Sequence, residues 1–396
     1  MSSVIVDNSP GPKLHAFIIA VESYTFLEDG SSPGPKLPFA MGQLKAAPIS
    51  AIALANWLIH DYKSQTPLGS IELLVSSPEK IELTLKDGSK TTVDGRADSR
   101  SLKPAFKSWF RRLNGTRVDG NGTEIKASAE LEAQMKNNIA LFYFCGHGFE
   151  KGDVHLLLED FGEDRDLLFE NSFNFNYFYS GMKQAKPTTQ LYFVDSCRTV
   201  PSTATARENI EGITLLAPLI TDKSQREAPI LYSTLSTTTA WAPTDGSATR
   251  FTKTLIDCFR SAATKDNGIW KVTTGKLIAD MKELLNSDPV NNQICISGGD
   301  RLTENSVLYT LDSPPTVRLT LSCKPMTTLP KLIFKITNSL LGTEQQRVPP
   351  APDAWQLNVP AASYILETTF LDKSRELPRE EIYVFPPKED RTLDLS

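Results

Sequence analysis

The chain has 396 residues, 40% of them hydrophobic and 22% charged, with a formal net charge of −5. That is globular composition, enough for one large domain and a smaller one, and mild acidity without any basic run argues against a nucleic-acid partner. Five cysteines (145, 197, 258, 295, 323), odd in number and without a C-x-x-C pair, suit a reducing compartment and argue against a disulfide framework and a thiolate zinc site.

The N-terminus "MSSVIVDNSPGPKLHAFIIAVESY" has no basic leader region, and no stretch approaches the ~18 apolar residues of a spanning helix. The expectation is a soluble cytoplasmic protein with no membrane partner. "HAFIIAVESY" (15–24) reads as a strand, followed by the loop "EDGSSPGPKLP" and a helix, "PISAIALANWLIHDYK" (48–63), with Pro48 in its first turn. "SIELLVSS" (70–77) is a strand and "SLKPAFKSWFRRLN" (101–114) a helix. "NIALFYFCG" (138–146), "TTQLYFVDS" (188–196) and "APILYSTLS" (228–236) are further strands. "SATRFTKTLIDCFRSA" (247–262) and "TTGKLIADMKELLNS" (273–287) are helices. Such alternation with near-continuous apolar strands predicts an α/β fold, a mostly parallel sheet flanked by helices over residues 1–313. From "LDSPPTVRL" onward short alternating strands replace helices, so 314–396 reads as a small antiparallel, sandwich-like β-domain, with "WQLNVPAASYILE" as a hairpin.

Two strands end on chemistry. "LFYFCGHG" closes on His147 between Gly146 and Gly148, and "LYFVDSCR" closes on Cys197 fifty residues later. In a parallel α/β sheet reactive groups belong at the C-terminal strand ends. A thiol nucleophile needs an adjacent base, and backbone amides to hold the oxyanion. Only four histidines exist. His15 opens a strand, His60 falls in a helix and His155 lies within "DVHLLLED"; all three read as structural. Cys145, Cys258, Cys295 and Cys323 read as packed core.

The pair "FYFCGHG" and "YFVDSCR" resembles the caspase and metacaspase superfamily of cysteine peptidases, where one strand ends in His-Gly and the next in the catalytic Cys. "PILYSTLSTTTAWAPTDGSATRFTKTLI" (229–256) is similar to that family's strand, substrate loop and following helix, and "NQICISGG" (292–299) to its closing strand. The resemblance covers about residues 14–311. It implies His147 as general base and acid, Cys197 as nucleophile, the amides of Gly148 and Cys197 as oxyanion hole, and Trp241 as a wall of the substrate pocket.

Departures from caspases bear on specificity. The position after Trp241, basic in caspases, is Ala242, and Asp195-Ser196 replaces Gln-Ala before the nucleophile. A carboxylate two residues before the Cys is the metacaspase pattern, which implies that Asp195 lines the P1 pocket and that cleavage follows Arg or Lys. Asp195 as a helix N-cap or as a partner of Arg198 is the structural alternative. A second acidic pocket residue is expected, with Glu22, Glu28 and Asp29 as candidates.

The segment 198–227 corresponds to the caspase activation linker; a basic P1 preference makes Arg207, Lys223 and Arg226 candidate self-cleavage sites in a zymogen, an uncut surface loop being the alternative. The acidic loop "LEDFGEDRD" (158–166) lacks EF-hand spacing and reads as solvated. Calcium, which some metacaspases require, is the alternative the resemblance brings; otherwise no cofactor or metal is expected. The compact arrangement with an appended β-module looks like bacterial peptidases beside antiphage systems, CRISPR- or gasdermin-associated. That setting implies protein substrates and an upstream activating protease or a defence complex as partners. Competing readings are a non-catalytic caspase-fold interaction protein, an Asp-specific protease, and a metal site on Cys145, His147 and Cys197.

Overall fold

The computed structural model describes residues 2–7, 9–32, 37, 41–118, 124–125, 128–199, 210–219, 226–235, 243, 245–287, 294–301 and 305–395. It divides into two compact units, Met1–Ile256 with Leu285–Ser306, and Asp257–Leu284 with Val307–Ser396. The division is not the single boundary expected at 313, because residues 257–284 group with the C-terminal strands.

The first unit is built on seven strands: β1 (Ser3–Val6), β2 (Leu14–Val21), β3 (Leu68–Ser76), β4 (Ile139–Cys145), β5 (Thr189–Asp195), β6 (Ala228–Tyr232) and β7 (Ile296–Asp300). They lie in the order β1-β3-β2-β4-β5-β6-β7. The five inner strands run parallel, and the edges β1 and β7 pair antiparallel. Every residue of β2 and β4 is buried. Helices cover both faces, so no position along these strands can be polar for solvent, which is why they read as unbroken apolar runs.

One face is aromatic. Phe142 of β4 lies 4.9 Å from Phe178 between ring centres, and Phe17, Phe173 and Phe175 join them. The helix Ser99–Leu113 packs here. Asp98 caps it by accepting from the Ser101 N–H, and Leu102, Ala105, Phe106, Trp109 and Leu113 recur at helical spacing along its buried stripe. The other face carries the helix Ala46–Asn56 and the start of the helix Arg250–Ser261, where the Thr252 hydroxyl meets that of Tyr143 at 2.6 Å.

Beyond β4 the chain folds into a hairpin, Gly148–Lys151 with Asp153–Leu157, extended by Ser172–Asn174. The described part of the expected linker docks on it. Ile213 donates to the Ser172 carbonyl (2.7 Å) and accepts from the Asn174 N–H (3.2 Å), while Gln184 donates to the Ala217 carbonyl (2.7 Å). No helix among the described residues is long and apolar enough to cross a membrane.

The second unit holds a three-stranded sheet (Ala263–Asp266, Ile269–Thr273, Val307–Leu311) and two others, of three and four strands. Trp355–Pro360, Thr316–Lys324 and Lys388–Asp394 form one; Glu344–Gln346, Leu332–Asn338, Ala362–Phe370 and Glu380–Val384 form the other. Thr316–Lys324 and Leu332–Asn338 alternate buried and less buried residues, as strands with one covered face do. Two corrections arise. The pairing of Thr316–Lys324 with Lys388–Asp394 is parallel, so the module is not wholly antiparallel. "WQLNVP" and "ASYILETTF" are not a hairpin: they turn a corner at Ala361 into different sheets, each pairing elsewhere.

Candidate active site

The sheet register places the two candidate groups. In the parallel pair β4–β5, Cys145 is opposite Asp195, so His147 and Cys197 each lie two residues beyond the last matched pair, at one rim. The Gly146 N–H donates across to the Asp195 carbonyl at 3.2 Å, holding the two exits together. Gly148 is closer still. A Cβ built there would come within 2.9 Å of Ser196 Oγ, 3.0 Å of the His155 carbonyl and 3.1 Å of the Cys197 carbonyl. Only glycine lets the His exit approach the Cys exit this closely.

The amide of Gly148 is aimed by its hairpin. Gly148 faces Leu156, and the ladder bond beside them runs from the Leu157 N–H to the His147 carbonyl. That makes Gly148–Leu156 a non-hydrogen-bonded pair, whose own amides point out of the ladder. Gly148→Ala keeps its N–H, but the added methyl would press on Ser196 and on the His155 and Cys197 carbonyls and shift that amide, so turnover is expected to fall by up to about 10²–10³-fold, the size of effect seen when one oxyanion donor is misplaced. An unchanged far-ultraviolet circular dichroism spectrum would locate the loss at the rim.

His147 is buried, and two groups outside the expected motif orient it. Nε2 lies 2.8 Å from the Gly42 carbonyl, which can only accept, so Nε2 carries the proton and Nδ1 presents its lone pair. The Tyr24 hydroxyl accepts from the His147 backbone N–H at 2.6 Å, and the two rings lie 4.8 Å apart. Burial lowers the imidazole's pKa, so it rests neutral, the form a general base needs. Burial above all raises the Tyr24 hydroxyl's pKa well above its ordinary value, so the phenol stays protonated.

None of the five cysteines is in a disulfide, and Cys197 alone is less than fully buried. Burial pushes the Cys145 thiol far above its ordinary range, leaving it inert.

Asp195 is 4% exposed. Its Oδ2 accepts from Thr249 Oγ1 (2.5 Å), and Thr252 Oγ1 (3.4 Å) and Cys145 Sγ (3.8 Å) lie close. Thr249 also takes the Thr252 N–H at the start of the helix Arg250–Ser261, so the cap of that helix fixes the donor that faces the carboxylate. Burial raises the Asp195 carboxyl to about 6 against the pull of these hydroxyls. Neither structural alternative holds. No helix begins at Asp195, and Arg198 turns to Glu150 Oε2 (2.7 Å) with its guanidinium 4.3 Å from the centre of the Tyr232 ring. That ion pair ties the segment after Cys197 to the hairpin after His147.

Among the described residues, no second acid is bonded beside Asp195. Glu22 accepts from Ser77 and lines a different cleft with Asp29, while Glu28 is exposed. Among the described residues, hydroxyls and one thiol surround Asp195. Trp241, Arg207 and Lys223 lie outside the described residues. Arg226 is described, and its placement corrects one expectation. It is 3% exposed, paired with Asp300 (3.0 Å), bonded to Gln190 Oε1 (3.0 Å) and set 4.2 Å from the centre of the Tyr179 ring. A protease cannot reach a side chain so enclosed.

In the loop 158–166, Glu159 pairs with Arg96, Asp160 accepts from Ser99 and Asp164 accepts from the Asp166 and Leu167 amides. Among the described residues no group of three or more His, Cys, Asp or Glu is placed to hold a metal ion. His15 meets Ser70, His60 the Thr84 carbonyl, and the His155 ring stacks on Phe149.

Residues 99–294 match the family model described as the Caspase domain. The matched range takes in β4, β5 and β6 of the mixed, mostly parallel sheet, the arrangement of a caspase-fold domain. The caspase-domain match supports a cysteine peptidase, and the matched residues include His147 and Cys197. The chain is also similar to "Uncharacterized protein y4kE" of Sinorhizobium fredii, 27% identical over 204 residues that make up 50% of each chain. The chain thus spans about half the length of that relative.

Proposed function

We propose that the protein is a cysteine endopeptidase that cuts polypeptides after Arg or Lys with a Cys197–His147 dyad. One observation carries this reading. Asp195, a buried carboxylate with no cation among its described neighbours, stands two residues before the thiol on the strand beside the His strand. A buried carboxylate is costly unless a cation compensates it, and an incoming Arg or Lys side chain is such a cation.

The chemistry follows from the rim. His147 Nδ1 takes the proton of the Cys197 thiol, and the thiolate attacks the basic residue's own carbonyl carbon. The oxyanion forms against the amides of Gly148 and Cys197. The imidazolium then gives its proton to the leaving amine as the C–N bond breaks, leaving a thioester on Cys197. Water, deprotonated by His147, releases the acid and restores the thiol. Self-cleavage after Arg207 or Lys223 belongs to the same reading, with the freed chain as the more active form.

Fluorogenic peptide amides ending in Arg, Lys or Asp test the specificity. Hydrolysis of the Arg and Lys amides and not of the Asp amide is expected; the opposite order overturns basic selectivity and leaves the Asp-specific reading. No hydrolysis of any, with Cys197 unreactive to alkylation, leaves a non-catalytic interaction protein.

A further inference from the structure

A cleft of about 580 Å³ opens at the C-terminal ends of β2 and β3, within the range of ligand sites. Tyr24 lines it and is also the residue that holds the His147 backbone, so dyad and cleft share a wall. Neither the fold nor the dyad chemistry assigns this cleft a task.

Its position assigns one. Across the sheet the order is β3, β2, the His strand, the Cys strand, then β6. The acyl half of a substrate is bonded to Cys197 during the reaction, whereas the leaving amine must lie within reach of His147, which protonates it. The leaving half of the polypeptide therefore departs from the His147 side of the sulfur, toward β2 and β3, where the cleft lies. Charge sets what it prefers. Glu22, Asp29, Glu79, Asp94 and Glu159 face Lys45, Lys80 and Arg96 among the described residues. Arg96 is paired with Glu159 and Lys80 with Glu82, which leaves Lys45 as the one described lining cation not paired to a carboxylate.

We propose that this cleft binds the leaving, C-terminal side of the cut polypeptide, from P1′ onward, and favours basic residues there. The proposal rests on the peptidase reading above, and the test separates the two. Donor–quencher peptides with Arg at P1 are compared with Lys-Lys or Glu-Glu at P2′–P3′, beside an Arg coumaryl amide that has no residue on the leaving side. The wild type is expected to cut the Lys-Lys peptide at least about tenfold faster in kcat/KM than the Glu-Glu peptide. In Glu22→Gln/Asp94→Asn that ratio falls toward one; in Lys45→Glu it rises. A ratio near one in the wild type, or one unmoved by either variant, overturns the cleft assignment while coumaryl amide turnover keeps the peptidase reading. If neither the coumaryl amide nor the peptides are cut, both fall together.

Discussion

Cys197→Ala is expected to abolish hydrolysis of every Arg- or Lys-ending substrate, a loss on the order of 10⁴–10⁶ in turnover, as when a dyad or triad nucleophile is removed. A peptidyl chloromethyl ketone ending in Arg should add one label to the wild type, at Cys197, and none to the variant. The reason is local. Of five thiols only Cys197 is less than fully buried, and only it stands at the rim with a neutral, oriented imidazole. The substitution removes no buried methylene, so unfolding free energy should stay within about 1 kcal/mol of the wild type. Intact mass spectrometry checks the labelling and a melt checks the fold. Labelling that persists in the variant, or activity that survives it, removes Cys197 from the chemistry.

Asp195→Asn should separate function from stability in opposite directions. On Arg and Lys substrates kcat/KM should fall by about 10²–10³, since a charge pair at close range is worth ~4 kcal/mol at an effective dielectric near 20. Stability at neutral pH should rise. Burial lifts this carboxyl from 3.8 to about 6, so the folded state binds its proton more tightly than the unfolded one. A group shifted in that direction weakens the fold as pH rises through the window from about 4 to 6, and the full cost, about 3 kcal/mol, persists above it. Asn cannot ionise and can still accept from Thr249, so urea unfolding of the variant should lack that slope. The acid limb of Arg hydrolysis should likewise fall near pH 6, where Asp195 takes up a proton, while burial keeps His147 neutral below its usual range. A wild-type level of Arg hydrolysis in the variant would show that the carboxylate serves packing alone.

The parallel strands were legible because burial on both faces leaves no polar position in "AFIIAV" or "ALFYFC", and their reactive ends because glycines or a carboxylate break the run there. Tyr24 and Gly42 were not legible. Both lie in the chain between β2 and the helix Ala46–Asn56, and nothing in its polarity or spacing encodes which loop carbonyl turns back to an imidazole more than a hundred residues away. Arg226 misled for a related reason. A cation in a polar segment looks solvated, but Asp300, Gln190 and the Tyr179 ring reach it from three other elements. In the C-terminal unit, alternation has period two whether neighbouring strands pair or turn into opposite sheets, so the pattern of "WQLNVPAASYILE" was the same for hairpin and corner.

The docking of Ile213 and Ala217, with Arg226 locked farther along, bears on what a nick would look like. Chain severed after Arg207 or after Lys223 stays clamped on both sides of the break by backbone bonds and an enclosed guanidinium. Fragments should co-elute as one particle on a sizing column and part only in detergent, so processing changes the covalent thread without releasing a piece.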